Sequence, residues 1–299
     1  MNKPRVIAVL GPTASGKTSC AIDLAEQFAG EVVSADSRQV YRGLNLSSGK
    51  VTDAEMRGVP HHLLDVAELR EVYTASDFVR DATAAIDDIL ARGRTPIIAG
   101  GTNFYVDLLR GKQQAAPVPP NPTLRERLDT YSTAALYEEL RERDPRRAGE
   151  VDPNNRHRLI RALEIVATLG VVPQTGAVEA HYAFCCIGLS MPLPELTERI
   201  GCRLHERIES GLVDEIRSLH EAGMPWERLD ELGLEQRYTS WYLQGRLTYD
   251  AYQKELVTKT RQFAKRQLTW LQRDEAIAWF DPHDQEAVSA HIEKFLRTA

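Results

Sequence analysis

Eight residues near the start of the chain could hold phosphate. Gly11 to Thr18, in the run VIAVLGPTASGKTSCAIDLA, fit the spacing G-x-x-x-x-G-K-[ST]. Gly11 and Gly16 let the backbone wrap a phosphate, and the helix N-terminus that follows points its free N–H groups at it. Lys17 supplies a charge for the oxygens, and the Thr18 hydroxyl can ligate Mg²⁺. A strand-like stretch (Val6 to Leu10) precedes the loop and a helix-like stretch follows, which is the context the motif requires. A nucleotide hydrolase, a small-molecule kinase and an enzyme acting on some other diphosphate all use such a loop.

Two further stretches qualify that choice. In EVVSADSRQVYRG, Asp36 and Ser37 fall just past a second strand, at the carboxyl edge where ligands bind in such sheets. Asp36 there is either a loop residue making an Asx turn or a carboxylate facing the phosphate loop, as general base or outer magnesium ligand. The run TPIIAGGTNFYVDLL ends a later strand with Ala99-Gly100-Gly101-Thr102, where a hydrolase would carry an Asp for magnesium and water. Two glycines let another backbone approach. Thr102 can cap the following helix or donate to a substrate oxygen.

These residues need a scaffold, and strand-like runs at VIAVL, EVVSA, HHLLDV and TPIIAG alternate with helical patterns. That order implies a parallel sheet flanked by helices: an α/β, P-loop-type core. The pattern breaks at QQAAPVPPNPTLRERL, where Pro117, Pro119, Pro120 and Pro122 stop helix and strand alike. From Thr123 to about Leu169 the pairs Leu124/Leu128, Leu136/Leu140 and Leu159/Leu163 predict helices. The segment is dense in arginine and reads as an all-helical insertion over 117–181, between core segments 1–116 and 182–299. YAFCCIGLSM reads as a strand that resumes the sheet, with Cys185 and Cys186 on opposite faces. Near the end, TKTRQFAKRQLTWLQRD is either a basic face over a buried stripe or a nucleic-acid contact.

Composition narrows the class. The chain has 299 residues, 42% hydrophobic and 27% charged, with net charge −6, which argues against a generic nucleic-acid coat. No apolar run reaches the roughly 18 residues of a membrane span. Four cysteines without metal spacing suggest buried free thiols, and a cytoplasmic protein is expected.

In order along the chain, GPTASGKT, SADSRQVYRGL, GVPHHLLD, PIIAGGTNFYVDLL, NRHRLIRALEI, GLVDEI and RQFAKRQLTW resemble the tRNA dimethylallyltransferase family, bacterial in type. The resemblance implies a P-loop-type core with a helical insertion. It also implies transfer of a dimethylallyl group from dimethylallyl diphosphate to N6 of adenosine 37 in tRNA, with diphosphate released and Mg²⁺ assisting. Carried over by motif, Gly11, Pro12, Thr13, Ala14, Ser15, Gly16, Lys17 and Thr18 hold the diphosphate. Asp36 is the base for the N6 proton, and Ser37, Arg38 and Gln39 contact the tRNA. Thr102 lies near the reacting centre, and Arg217 touches the diphosphate. Arg125 and the run His157, Arg158, Leu159, Ile160, Arg161 grip the anticodon stem-loop. Gly233 to Arg237, in the variant segment LGLEQRY, and Leu46 to Lys50, in LSSGK, depart from the family pattern. A monomer acting on one stem-loop is expected, and a P-loop small-molecule or nucleoside kinase is the alternative.

Overall fold

The computed structural model describes residues 3–174 and 176–297. One compact unit spans Met1–Arg110 and Glu179–Ala299, and a second spans Gly111–Val178. The first opens with β1 (Arg5–Leu10), α1 (Lys17–Gln27), β2 (Gly30–Ser34), α2 (Asp53–Met56), β3 (His61–His62), α3 (Ala75–Ala91), β4 (Thr95–Ala99) and α4 (Asn103–Leu109). The second holds α5 (Pro122–Asp129), α6 (Thr133–Arg143), α7 (Pro145–Glu150) and α8 (Arg156–Leu169). The first then resumes with β5 (Ala183–Leu189), α9 (Leu193–Glu209), α10 (Leu212–Glu221), α11 (Trp226–Leu232), α12 (Leu234–Leu243), α13 (Tyr249–Leu271), β6 (Ile277–Phe280) and α14 (Gln285–Arg297).

The six strands pair in parallel in the order β3-β2-β4-β1-β5-β6. Alternation along β1 sends Val6, Ala8 and Leu10 to one face, against Phe78, Ala82, Ile86 and Ile89 of α3. Ile7 and Val9 go to the other, against Ala21, Ile22 and Ala25 of α1 and Val288 and Ile292 of α14. Burial on both faces explains why these strands read as continuous apolar runs. Cys185 and Cys186 divide between the two faces as their adjacency requires. Both are buried and in no disulfide, whereas Cys20 is partly buried and Cys202 is exposed on α9, against expectation. The strand expected around HHLLDV shrinks to His61–His62, because Leu63 and Asp65 take φ of +65° and +54° and end the ladder.

The sheet order has one consequence for chemistry. β2, β4 and β1 are neighbours, with Ser34 beside Ala99 and Ala99 beside Val9. The loops that leave their carboxyl ends therefore emerge side by side: the phosphate loop, the Asp36 turn and the Gly100–Thr102 turn.

In the helical unit, Asn121, Ser132, Asp144 and Asn155 each cap a helix by accepting a backbone amide. Leu128, Leu136, Leu140, Leu159 and Leu163 meet in its core. The unit is bounded by 111 and 178 rather than by the expected 117 and 181. The Val178 amide donates to the Gly111 carbonyl at 2.8 Å and closes its ends.

Candidate active site

Positive charge is concentrated at the phosphate loop. Lys17 is 9% exposed, and its Nζ donates to the Pro12 carbonyl at 2.6 Å. Burial pushes the Lys17 pKa down to about 8; Asp36 opposes the shift and Arg203 adds to it. Arg203 on α9 is itself held below its ordinary value by burial and by Arg207. A Cβ placed on Gly16 would lie 3.8 Å from Nη2 of Arg199, one turn earlier on α9. A buried lysine with arginines close enough to lower its pKa forms a site that an anion stabilises. The Ser15 hydroxyl is buried in the loop without a hydrogen-bond partner, and Thr18 is exposed at the start of α1.

Asp36 makes the turn its position allowed with one oxygen and brings the other near Gly101. Oδ1 accepts from the amides of Arg38 (2.9 Å) and Gln39 (3.4 Å), which is an Asx turn. Oδ2 lies 3.2 Å from where a Cβ on Gly101 would be. The approach is close because Gly100 has no side chain: a Cβ there would fall 2.2 Å from the Ala35 carbonyl oxygen. Thr102 does not cap α4 with its side chain. Its Oγ1 accepts from the Ser37 amide at 3.0 Å and donates to Ser37 Oγ at 3.2 Å, so Thr102 orders the Asp36 turn.

The remaining expected tRNA contacts of this stretch are partly committed. Gln39 accepts from Ser34 Oγ at 3.0 Å and donates to the Gly49 carbonyl at 3.2 Å. Arg38 is half-buried, with its pKa lowered by burial against the pull of Asp36. In the variant segment, a Cβ on Gly233 would stand 3.5 Å from Arg38 Nε, while Gln236 is buried and Arg237 donates to the Asp230 carbonyl.

Several expected site residues have other roles. Arg217 lies on α10, half-exposed, with its guanidinium paired to Asp214 on the same helix. Arg199 and Arg203 stand at the phosphate loop instead. Their signal was the i, i+4 series Arg199, Arg203, Arg207, which on sequence alone reads as a solvated helix face. In the helical unit Leu159 and Ile160 are core residues, at 0% and 8% exposure. Arg125 makes a two-pronged pair with the buried Glu164 (2.7 and 2.8 Å), and Arg161 pairs with the same carboxylate at 3.0 Å. Burial would raise the Glu164 pKa, but Arg125, the Asn121 amide and Arg161 outweigh it and hold it low. These two arginines brace the unit; His157 and Arg158 are the exposed members of the run.

On α13, Thr260, Ala264, Gln267 and Leu271 form the buried stripe, with Arg261, Lys265 and Arg266 outside it. Lys265, Arg266, Trp270 and Arg273 line an open groove there. Sequence reasoning passed over Gln267. Its Oε1 accepts from the Thr13 amide at 2.8 Å and its Nε2 donates to the Gly101 carbonyl at 2.7 Å, tying the phosphate loop to the end of β4.

Residues 39–274 match the IPP transferase family. The chain is 40% identical to a tRNA dimethylallyltransferase of Thermomicrobium roseum, over 99% of this chain and 93% of that one. It is 42% identical to tRNA dimethylallyltransferase 2 of Treponema denticola, over 92% and 93%. The crystal structure of the full-length tRNA isopentenylpyrophosphate transferase of Bacillus halodurans matches with a TM-score of 0.72 at 33% identity, covering 98% of each chain. A eukaryotic dimethylallyltransferase caught acting on tRNA matches with a TM-score of 0.77 at 26% identity, over 98% of this chain and 77% of that one.

Proposed function

This chain belongs to the IPP transferase family, and from that membership we propose how its residues divide the work of prenylating tRNA. It is an enzyme, a prenyltransferase that modifies tRNA. Dimethylallyl diphosphate places its diphosphate on residues 11–18, with Lys17, Arg199 and Arg203 around it. The observation that carries this reading is the buried Lys17 in the loop, with Arg199 against Gly16 and Arg203 near enough to help lower the Lys17 pKa.

The acceptor is N6 of adenosine 37, beside the anticodon. Extruding that base costs a few kcal/mol, which contacts from the helical unit to the tRNA backbone offset. Arg158 and His157 supply those contacts, and the basic groove of α13 offers a second surface. Asp36 takes the N6 proton as the N6–carbon bond forms. The allylic carbon–oxygen bond breaks and its electrons leave with the diphosphate, where the cations stabilise them.

Magnesium fits the loop. Thr18 presents an exposed hydroxyl at the helix start, and among the described residues no cluster of three or more His, Cys, Asp or Glu forms a protein cage. Mg²⁺ ordinarily keeps waters and takes substrate phosphate oxygens rather than a full protein shell. When bound it neutralises leaving-group charge. No described helix is long and apolar enough to cross a membrane; we propose a cytoplasmic monomer that handles one stem-loop at a time.

Incubation with radiolabelled dimethylallyl diphosphate, unmodified tRNA and Mg²⁺, with ATP added to a parallel tube, tests the assignment. Label enters tRNA equally in both tubes. ATP hydrolysis stimulated by tRNA, or a requirement for ATP, sinks it in favour of a kinase-like use of the loop.

A further inference from the structure

The loop Leu44–Lys50 is held in place by one carboxylate from 170 residues further along the chain. Glu215 on α10 accepts with Oε2 from the amides of Asn45 (3.0 Å) and Leu46 (2.7 Å). Its Oε1 accepts from the amide (3.0 Å) and the hydroxyl (2.6 Å) of Ser47. Hydrogen bonds to an ionised acceptor are roughly twice as strong as neutral ones. Ser47 Oγ accepts in turn from Gln236 Nε2 at 3.0 Å.

What this clamp supports is the side of the loop that faces the arginines. Gly49 has a φ of +61°, and a Cβ there would lie 3.2 Å from Arg207 Nη1 and 3.7 Å from Arg203 Nη2. The Leu46 carbonyl accepts from Arg207 Nη1 at 3.3 Å. Glu235 pairs with Arg207 at 3.6 Å, but no ion pair fixes Arg203 among the described residues. The neighbour the geometry gives the Arg203 guanidinium on this side is the loop itself, at Gly49.

We propose that Glu215 is a positioning residue for the diphosphate site: it fixes Asn45–Ser47 so that Leu46 and Gly49 form the wall that sets Arg203 and Arg207. The inference rests on the reading of Arg203 as a diphosphate contact. A Gln in place of Glu215 would turn an NH₂ group towards at least one amide donor, so a hydrogen bond is lost and two donors are left facing each other. Gly49→Ala perturbs the same wall from its other side, through the positive φ and the Arg207 contact.

The test is titration of the wild type, Glu215→Gln and Gly49→Ala with inorganic diphosphate and Mg²⁺, below the melting temperature of each. Both variants weaken binding by about tenfold. If the wild type binds no diphosphate, the reading of the site fails, and this inference with it. If the wild type binds and the folded variants match it within about twofold, Glu215 is only a structural brace and the inference is overturned. A lower melting temperature with unchanged affinity has the same meaning. Should Glu215→Gln not fold, Gly49→Ala decides.

Discussion

Gln267 and Thr13 meet through a 2.8 Å hydrogen bond that joins residues 254 apart, the Thr13 amide donating to the side-chain oxygen. Because the same side chain donates to Gly101, the phosphate loop and the turn that orders Asp36 are held at a fixed separation. In the proposed reaction that separation matters, since the leaving oxygen would be bound at one and the nucleophile at the other.

Gln267→Ala leaves two groups without partners and is expected to cost about 1–3 kcal/mol of stability. Gln267→Glu keeps the acceptor for Thr13, loses the donor to Gly101 and adds a negative charge beside the anion site. Its larger effect should be on diphosphate affinity rather than on melting temperature. Calorimetric titration beside thermal denaturation checks the split, and equal effects in both variants would mean that the bridge serves only the fold.

Lys17 gives the site a pH dependence. Its pKa is about 8 in the free protein because burial disfavours the charged form, and a bound diphosphate must raise it. Binding above pH 8 therefore takes up a proton. Affinity is flat with respect to Lys17 below about 8 and falls by up to about tenfold per pH unit above it. Diphosphate has ionisations of its own, so the measurement is the difference in slope between wild type and Lys17→Met. Parallel slopes would remove Lys17 from the binding equilibrium.

The helical unit separates grip from scaffold. Arg158→Ala should raise the KM for tRNA and reduce the salt slope of tRNA binding by about one, leaving the melting temperature unchanged. Arg125→Ala and Arg161→Ala each strip a partner from the buried Glu164 and should destabilise the unit by about 1–3 kcal/mol. Their effect on tRNA should then track unfolding with temperature. A temperature-independent loss of tRNA affinity in Arg125→Ala would return that residue to the tRNA surface.

The phosphate loop, Asp36 and Thr102 were legible because each lies within a few residues of a strand end, so local spacing fixes their place on the sheet edge. Leu159 was assigned to the tRNA grip by the resemblance, although its i, i+4 pairing with Leu163 is the mark of the core stripe it occupies. Arg203 was not legible: it comes from a helix nearly 190 residues after the loop, on a spacing shared by every solvated face. Gln267 and Glu215 were hidden for a different reason. Each grips backbone N–H or C=O groups, and those leave no trace in the identity of the residue that carries them.

The proposed mechanism turns on Asp36, and the two ends of its carboxylate can be separated. Oδ1 is spent on the amides of Arg38 and Gln39, a job the carbonyl oxygen of an Asn does equally well. Oδ2 faces the Gly101 side, where only a carboxylate can take a proton. Asp36→Asn therefore keeps the turn and removes the base. The N6 amine of adenine is a weak nucleophile with its lone pair delocalised into the ring, so losing its proton as the bond forms matters. A positioned base contributes on the order of 10²–10⁴-fold, and kcat should fall by about that factor. Affinities for tRNA and dimethylallyl diphosphate, and the melting temperature, should change little. Single-turnover transfer at saturating concentrations of both substrates isolates the step. A rate within about threefold of wild type, far below that range, would leave Asp36 as a turn residue alone.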